Sequence, residues 1–195
     1  MSIARPLTLA DAAVPRAGTL SNLLLVVAAS LLTAAAARLA FPLPWTPVPV
    51  TAQTFAVLLT GAALGPRRGF LAQLAYLLEG AAGLPVFAGG AAGPAALLGP
   101  SGGYLLAFPF AALVTGLLAT RGWDRRPLPT LAAMLLGSAV ILGPGLAQLS
   151  RFVPPRALLA SGLLPFLPGD LIKAALAAGA LPLAWRWVRR AEGRA

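Results

Sequence analysis

Pro168-Gly169-Asp170-Leu171-Ile172-Lys173-Ala174-Ala175-Leu176-Ala177-Ala178 places an acid and a base inside the last long apolar stretch of a 195-residue chain. Of the 15 basic residues, Lys173 is the only lysine; the rest are arginines, and nearly all of them fall between apolar stretches rather than within them. Asp170 and Lys173 lie three apart, so on a helix they share one face and can partner each other and a ligand. A charge at the centre of a membrane helix costs roughly 2.5 to 3.5 kcal/mol, and apolar side chains avoid that cost, so the pair points to a functional role. Each residue alone also has an ordinary structural reading. An aspartate in a first turn stabilises exposed N–H groups and the dipole by about 0.3 to 1 kcal/mol, and a lysine can snorkel to water.

Composition around this stretch sets the class. Hydrophobic residues make up 58%, charged residues 10%, and mean hydropathy is +0.84, whereas a soluble domain is nearer a quarter charged. The chain therefore reads as an all-α membrane protein, with length for five or six transmembrane helices in one domain and no soluble module. Cysteine and histidine are absent, which removes disulfides, thiolate nucleophiles, imidazole bases and the usual zinc ligands, so neither a catalytic dyad nor a metal or other cofactor is expected. The net charge of +10 raises nucleic acid as a partner. Its scatter in small loop groups instead fits membrane topology.

Six spans are expected, at about 19–40, 51–64, 69–82, 104–120, 128–149 and 158–187. Between the first two, prolines at 42, 44, 47 and 49 forbid a helix, so that segment is extended and buried in protein or lining a cavity. Gly65-Pro66-Arg67-Arg68 reads as a tight loop, and Gly143-Pro144-Gly145 as a kink or break in the fifth span. The sixth span is expected to break near Pro165 and Pro168, putting Asp170 in the first turn of a restarted helix. The segment 83–103 is rich in glycine and proline and carries no charge. A long loop normally meets water with polar residues, so this one is expected to pack on the helices as a lid.

With six spans, Arg5, Arg16, Arg67, Arg68, Arg121, Arg125, Arg126, Arg186, Arg189, Arg190 and Arg194 fall on one side, and Arg38, Arg151 and Arg156 on the other. The positive-inside rule then puts both termini in the cytoplasm. The expected division is a cytoplasmic segment 1–18, a six-helix domain 19–190 and a cytoplasmic tail 191–195. All the Pro/Gly-rich irregular loops gather on the outer face, around the mouth of a cavity lined by Asp170 and Lys173.

Other polar residues at membrane depth are candidates with two readings each. Gln53 and Thr54 offer an amide and a hydroxyl to a ligand, or hydrogen-bond between helices. Tyr76 and Tyr104 can stack on a ligand or serve as packing and interfacial anchors. Glu79 either faces the cavity or reaches water from near the end of its span. No GxxxxGK[ST] phosphate loop exists, because the only lysine precedes Ala174, and no carboxylate cluster suits a magnesium-bound phosphate.

The segments Thr46-Pro47-Val48-Pro49-Val50-Thr51-Ala52-Gln53-Thr54, Gly83-Leu84-Pro85-Val86-Phe87-Ala88-Gly89-Gly90, Leu98-Gly99-Pro100-Ser101-Gly102-Gly103-Tyr104 and Pro168-Gly169-Asp170-Leu171-Ile172-Lys173 together resemble the BioY family, over about residues 20 to 185. Members are biotin-specific substrate-binding (S) components of energy-coupling factor (ECF) transporters. The resemblance implies a multi-pass protein of the bacterial cytoplasmic membrane that binds biotin with high affinity. It further implies a partner complex of one transmembrane coupling protein and two ATPase subunits, so that the chain itself is not an enzyme. It suggests Asp170 and Lys173 as biotin contacts, with Gln53, Thr54, Tyr76, Tyr104 and the 84–90 lid, Phe87 included, behind them. Lys173 suits an acceptor on the ligand, carboxylate or ureido oxygen, and Asp170 a ureido N–H; which end meets which stays open. Glu79 transfers least well, since an acid repels a carboxylate ligand unless protonated or turned away. S components also dock on the coupling protein through small residues of the first span, which here suggests Ala29, Thr33 and Ala37; ordinary close packing within the chain explains the same stripe. The competing reading is a self-sufficient carrier for a small carboxylate, proton-coupled through Asp170 or Glu79. Whether the chain acts alone, forms a homodimer or shares its coupling module stays open.

Overall fold

The computed structural model describes residues 8–14 and 17–192, most of them helical. In chain order the helices are α1 (Leu9–Ala13), α2 (Thr19–Ala36), α3 (Gln53–Leu64), α4 (Pro66–Ala81), α5 (Pro94–Leu98), α6 (Gly102–Thr120), α7 (Pro127–Leu149), α8 (Pro155–Gly162) and α9 (Leu167–Glu192). Two short strands, β1 (Ala40–Phe41) and β2 (Val50–Thr51), pair antiparallel between α2 and α3. Arg5, Arg16 and Arg194 of the charge tally, and the ends of the two expected terminal segments, lie outside the described residues.

Four helical stretches, Thr19–Ala36, Gly102–Thr120, Pro127–Leu149 and Pro155–Ala191, are long and apolar enough to cross a membrane. The chain is thus a multi-pass membrane protein. The expected second and third spans, the two short ones, fall on α3 and α4, which are below that length. The 12 residues of α3 and 16 of α4 reach roughly 18 and 24 Å at about 1.5 Å per residue, against a hydrocarbon core of about 30 Å.

Three boundaries differ from expectation, each for a local reason. α2 stops at Ala36 because Ala40 and Phe41 turn away to pair with Thr51 and Val50. That ladder ties both ends of the Pro-rich excursion together and holds Thr51 beside α3. α4 begins at Pro66 rather than Gly69: Gly65 turns the corner alone at φ 83°, and proline at the first helical position has no N–H to lose. Arg67 and Arg68 therefore belong to a helix, not a loop. α7 passes through Gly143-Pro144-Gly145 unbroken. The break before α9 does fall at 163–166, while Pro168 sits in the first turn of α9, where the missing N–H costs no intrahelical bond.

α6 is the centre of the bundle, packed by α3, α4 and α7, with 72% of its apolar window buried. Small residues let neighbouring backbones approach it, the usual means of helix association where lipid is as apolar as leucine. A Cβ on Gly61 of α3 would stand 2.2 Å from Thr115 Oγ1 and 2.3 Å from the Ala112 carbonyl oxygen. Polar clips fasten the rest. Arg68 reaches Asp11 of α1 at 2.7 Å and Asn22 of α2 at 2.8 Å. Between α6 and α7, buried Asp124 accepts from the Trp185 indole of α9, whose ring lies 4.5 Å under the Arg125 guanidinium.

Candidate ligand-binding cavity

The irregular segments and the start of α9 enclose a cavity of about 340 Å³. One wall is the proline excursion (Pro47, Val48, Pro49) running into Thr51, Gln53 and Thr54 at the start of α3. The opposite wall is aromatic and aliphatic: Tyr104 and Phe108 of α6, Ile141 of α7, and Phe166 from the break before α9. Phe87, Ala88, Ala91, Ala95 and Ala96 close it as the expected lid. Asp170 and Lys173 complete the lining. The cavity wall is thus largely apolar, with polar groups from Thr51, Gln53, Thr54, Ser101, Asp170 and Lys173.

Lys173 is held from outside its own helix. Its Nζ donates to the Thr51 carbonyl at 2.9 Å and to Thr54 Oγ1 at 2.8 Å, across to the β2–α3 junction. The Asp170 carboxylate is 3.6 Å away, an ion pair but too long for a hydrogen bond. Asp170 itself is 6% exposed, with Ser138 of α7 as a polar neighbour. Two of the three ammonium hydrogens are thus engaged by the β2–α3 junction, and both charged residues stand in the cavity wall.

Six of the eight residues suggested as ligand contacts, Gln53, Thr54, Phe87, Tyr104, Asp170 and Lys173, line this cavity. Tyr76 and Glu79 do not. Tyr76 is fully buried, accepts from the Gln53 amide and donates to the Val86 carbonyl at 3.0 Å. Gln53 in turn accepts from Thr51 Oγ1 at 3.1 Å. Thr51, Gln53, Tyr76 and Val86 thus form one chain of hydrogen bonds from the proline excursion to the lid, and Tyr76 supports the site without facing it. Phe87 packs edge-on against Tyr76 at 5.5 Å and rests on Gly80, where a Cβ would stand 2.0 Å from its ring. Glu79 points to α2, accepting from Ser30 Oγ at 2.8 Å. Tyr104 lines the cavity with its ring and spends its hydroxyl on the Gly162 carbonyl at 2.8 Å.

The docking stripe expected on α2 is corrected by the packing. Ala29, Thr33 and Ala37 are 7%, 0% and 0% exposed, because this face lies on α4, where Gln73 Nε2 donates to Thr33 Oγ1 at 3.1 Å. Small residues here bring α2 close to α4, and the side of α2 that looks outward carries Leu23, Leu24, Val27, Leu31 and Leu32 instead. The stripe pattern is the same for both uses, so sequence cannot separate them.

Three contributors escaped the sequence reading. Arg38 was counted only toward topology, yet it donates to the Pro85 carbonyl of the lid at 2.7 Å. Gln148 of α7 donates to the carbonyls of Leu97 and Gly99 at 3.0 and 2.7 Å. Phe166 packs its ring, tilted by 35°, against Tyr104 at 5.6 Å from a position that looked like a mere helix break. An isolated polar residue near a span end, as at 148, was the one signal available.

Fold and cavity together define a multi-pass helical membrane protein with a lidded pocket for a small ligand carrying both apolar and polar parts. A family model described as the BioY family matches residues 8–190. The chain belongs to the BioY family. It is 46% identical over 131 residues to the probable biotin transporter BioY of Pyrococcus horikoshii, covering 67% of this chain and 76% of that one. It is 40% identical over 141 residues to the biotin transporter BioY of Thermotoga maritima, covering 70% and 80% respectively. Among solved structures, the S-component for biotin from an ECF-type ABC transporter superposes with a TM-score of 0.76 at 29% identity, over 86% of this chain and 92% of that one.

Proposed function

We propose that this chain binds biotin with high affinity and takes it up as the S component of an ECF-type transporter in the bacterial cytoplasmic membrane. The observation that carries this reading is the Asp170–Lys173 pair in the wall of a largely apolar, lidded cavity of about 340 Å³. That volume lies near the lower end of the roughly 300 to 1,000 Å³ of small-molecule sites. Biotin matches the wall in kind: its ureido ring donates two N–H bonds and accepts one, its bicycle and aliphatic tail are apolar, and the tail ends in a carboxylate. The ammonium of Lys173 supplies a donor for an acceptor oxygen, and the Asp170 carboxylate an acceptor for an N–H.

In this reading α2, α3, α4, α6, α7 and the α8–α9 stretch make six crossings, with residues 19–190 as one unit. Eleven arginines against three on the two sides support cytoplasmic termini and an outward-facing cavity. The chain carries no phosphate loop, so ATP hydrolysis is assigned to two ATPase subunits acting through a transmembrane coupling protein. Titration of the detergent-purified chain with biotin tests the proposal, with nanomolar affinity expected and lost in Lys173→Ala. Millimolar binding, together with uptake into vesicles that lack ATPases and follow a pH gradient, overturns it in favour of a proton-coupled carrier.

A further inference from the structure

The lid from Gly83 to Gly103 is fastened differently at its two ends. At its start Phe87 is 1% exposed in the socket over Gly80, Tyr76 holds the Val86 carbonyl and Arg38 holds the Pro85 carbonyl. At its far end α5 has five residues and a 75% exposed Leu98. Such a helix leaves its last carbonyls without intrahelical partners. The Gln148 side-chain amide donates to the Leu97 carbonyl at 3.0 Å and, just past the helix, to the Gly99 carbonyl at 2.7 Å, which also accepts from the Gly102 N–H at 3.0 Å.

The chain clears space for this contact. A Cβ on Gly102 would stand 1.8 Å from the Leu97 carbonyl oxygen and 2.5 Å from Gln148 Nε2; one on Gly103 would stand 2.3 Å from the Pro144 carbonyl oxygen and 2.8 Å from Gln148 Cβ. The Gly102-Gly103 pair thus lets the first turn of α6 press onto the end of α7 while Gln148 passes under it to α5. Gln148 is not part of the cavity lining, but Ala95, Ala96 and Gly99, which it holds in place, are.

We infer that Gln148 is the catch of the lid: its amide, bonded to the Leu97 and Gly99 carbonyls, pins α5 over the cavity and sets how long a bound ligand is retained. Resting on the biotin reading only for its choice of ligand, the inference makes Gln148 a positioning residue rather than a ligand contact. The end of the lid at Phe87 stays seated, and the α5 end is the one that opens. Losing two neutral hydrogen bonds that exist only in the closed form raises the opening rate, and dissociation with it, by roughly tenfold.

The test uses the full chain, which has no cysteine, so a single introduced thiol takes a spin label. Gln148→Met keeps length and packing without the donors, and Gln148→Glu keeps the shape but turns donors into acceptors. Both are expected to speed biotin dissociation roughly tenfold, with association unchanged or faster. A label at Leu98→Cys becomes more mobile in either variant without ligand, while one at Leu84→Cys, on the seated end, does not. Unchanged label mobility at 98 overturns the inference, as does a Gln148→Glu variant with wild-type dissociation. If the wild-type chain binds no biotin while the label at 98 still loosens, the catch stands and the ligand assignment fails.

Discussion

The ammonium of Lys173 stands 3.6 Å from the Asp170 carboxylate, one helical turn away yet outside hydrogen-bond reach, because it is drawn to the β2–α3 junction. An i,i+3 pair left to itself would close up. Here the lysine bridges α9 to Thr51 and Thr54. The pair is therefore held apart by tertiary contacts.

Truncating one partner leaves the other as a buried, isolated charge. Lys173→Ala is expected to weaken biotin binding by about 2 to 5 kcal/mol, a loss of roughly 30-fold to several thousandfold by titration calorimetry. The double change Asp170→Asn with Lys173→Met recovers thermal stability relative to Lys173→Met alone, since no lone charge remains. It does not recover binding. Wild-type affinity in Lys173→Ala removes the pair from the site.

Tyr76→Phe separates support from contact. It keeps the ring against Phe87 and Phe108 but deletes the hydroxyl that joins Gln53 to the Val86 carbonyl. At about 1 kcal/mol per hydrogen bond, biotin affinity should fall roughly five- to thirtyfold. A complete loss of binding would instead indicate direct contact between Tyr76 and ligand.

Gly80→Ala tests the seat of the lid. The added methyl would meet the Phe87 ring at 2.0 Å, so the ring must leave its socket at a cost of about 1 to 3 kcal/mol. Weaker biotin binding and faster proteolysis within 83–93 are expected, with Phe87→Ala in the same background restoring the protease resistance but not the affinity. Unchanged binding shows that the seat of Phe87 does not shape the cavity.

The two faces of α2 respond oppositely to bulk. Ala29→Leu crowds the buried contact with α4 and should lower stability in detergent by about 1 to 3 kcal/mol. Ala28→Leu, on the exposed face, should leave the unfolding temperature unchanged. Equal effects from both would contradict the burial of the Ala29, Thr33 and Ala37 stripe.

Asp124 gives a pH signature outside the membrane-spanning segments. Burial pushes its carboxyl above the ordinary 3.8, against the lowering effects of the Trp185 indole and Arg125. The folded state then binds the proton more tightly than the unfolded one, so this residue's contribution is present below the ordinary value and lost as pH rises through the raised one. Asp124→Asn should flatten that fall in unfolding temperature above pH 4, and an identical slope in the variant assigns the dependence elsewhere.

The class of this protein, its spans and its charged pair were legible because each is written locally. An apolar run of sufficient length has few fates, and an acid three residues before a lysine inside one has fewer. The proline excursion was legible as non-helical backbone that must be covered, and so was the cover formed by the charge-free segment 83–103, but not the short helix Pro94–Leu98 inside it or the start of α6 at Gly102. Pro66 and the start of α4 were misplaced by three residues because Gly65 alone turns the corner, which depends on how α3 and α4 pack.

Sequence by itself determined that Asp170 and Lys173 share a helical face inside a membrane protein, since spacing and hydropathy are properties of the chain read along its length. Tertiary structure alone decided which way the side chains beside them point. Tyr76 and Tyr104 are equally apolar-flanked tyrosines, yet one supports the lid from behind and the other lines the cavity. Ala29, Thr33 and Ala37 could face inward or outward until α4 covered them. Gln148 became a partner of α5 only because two glycines let α6 lie against α7. Direction around a helix and the approach of distant segments are set by packing across more than a hundred residues of sequence, as between Thr51 and Lys173, and no local pattern encodes them.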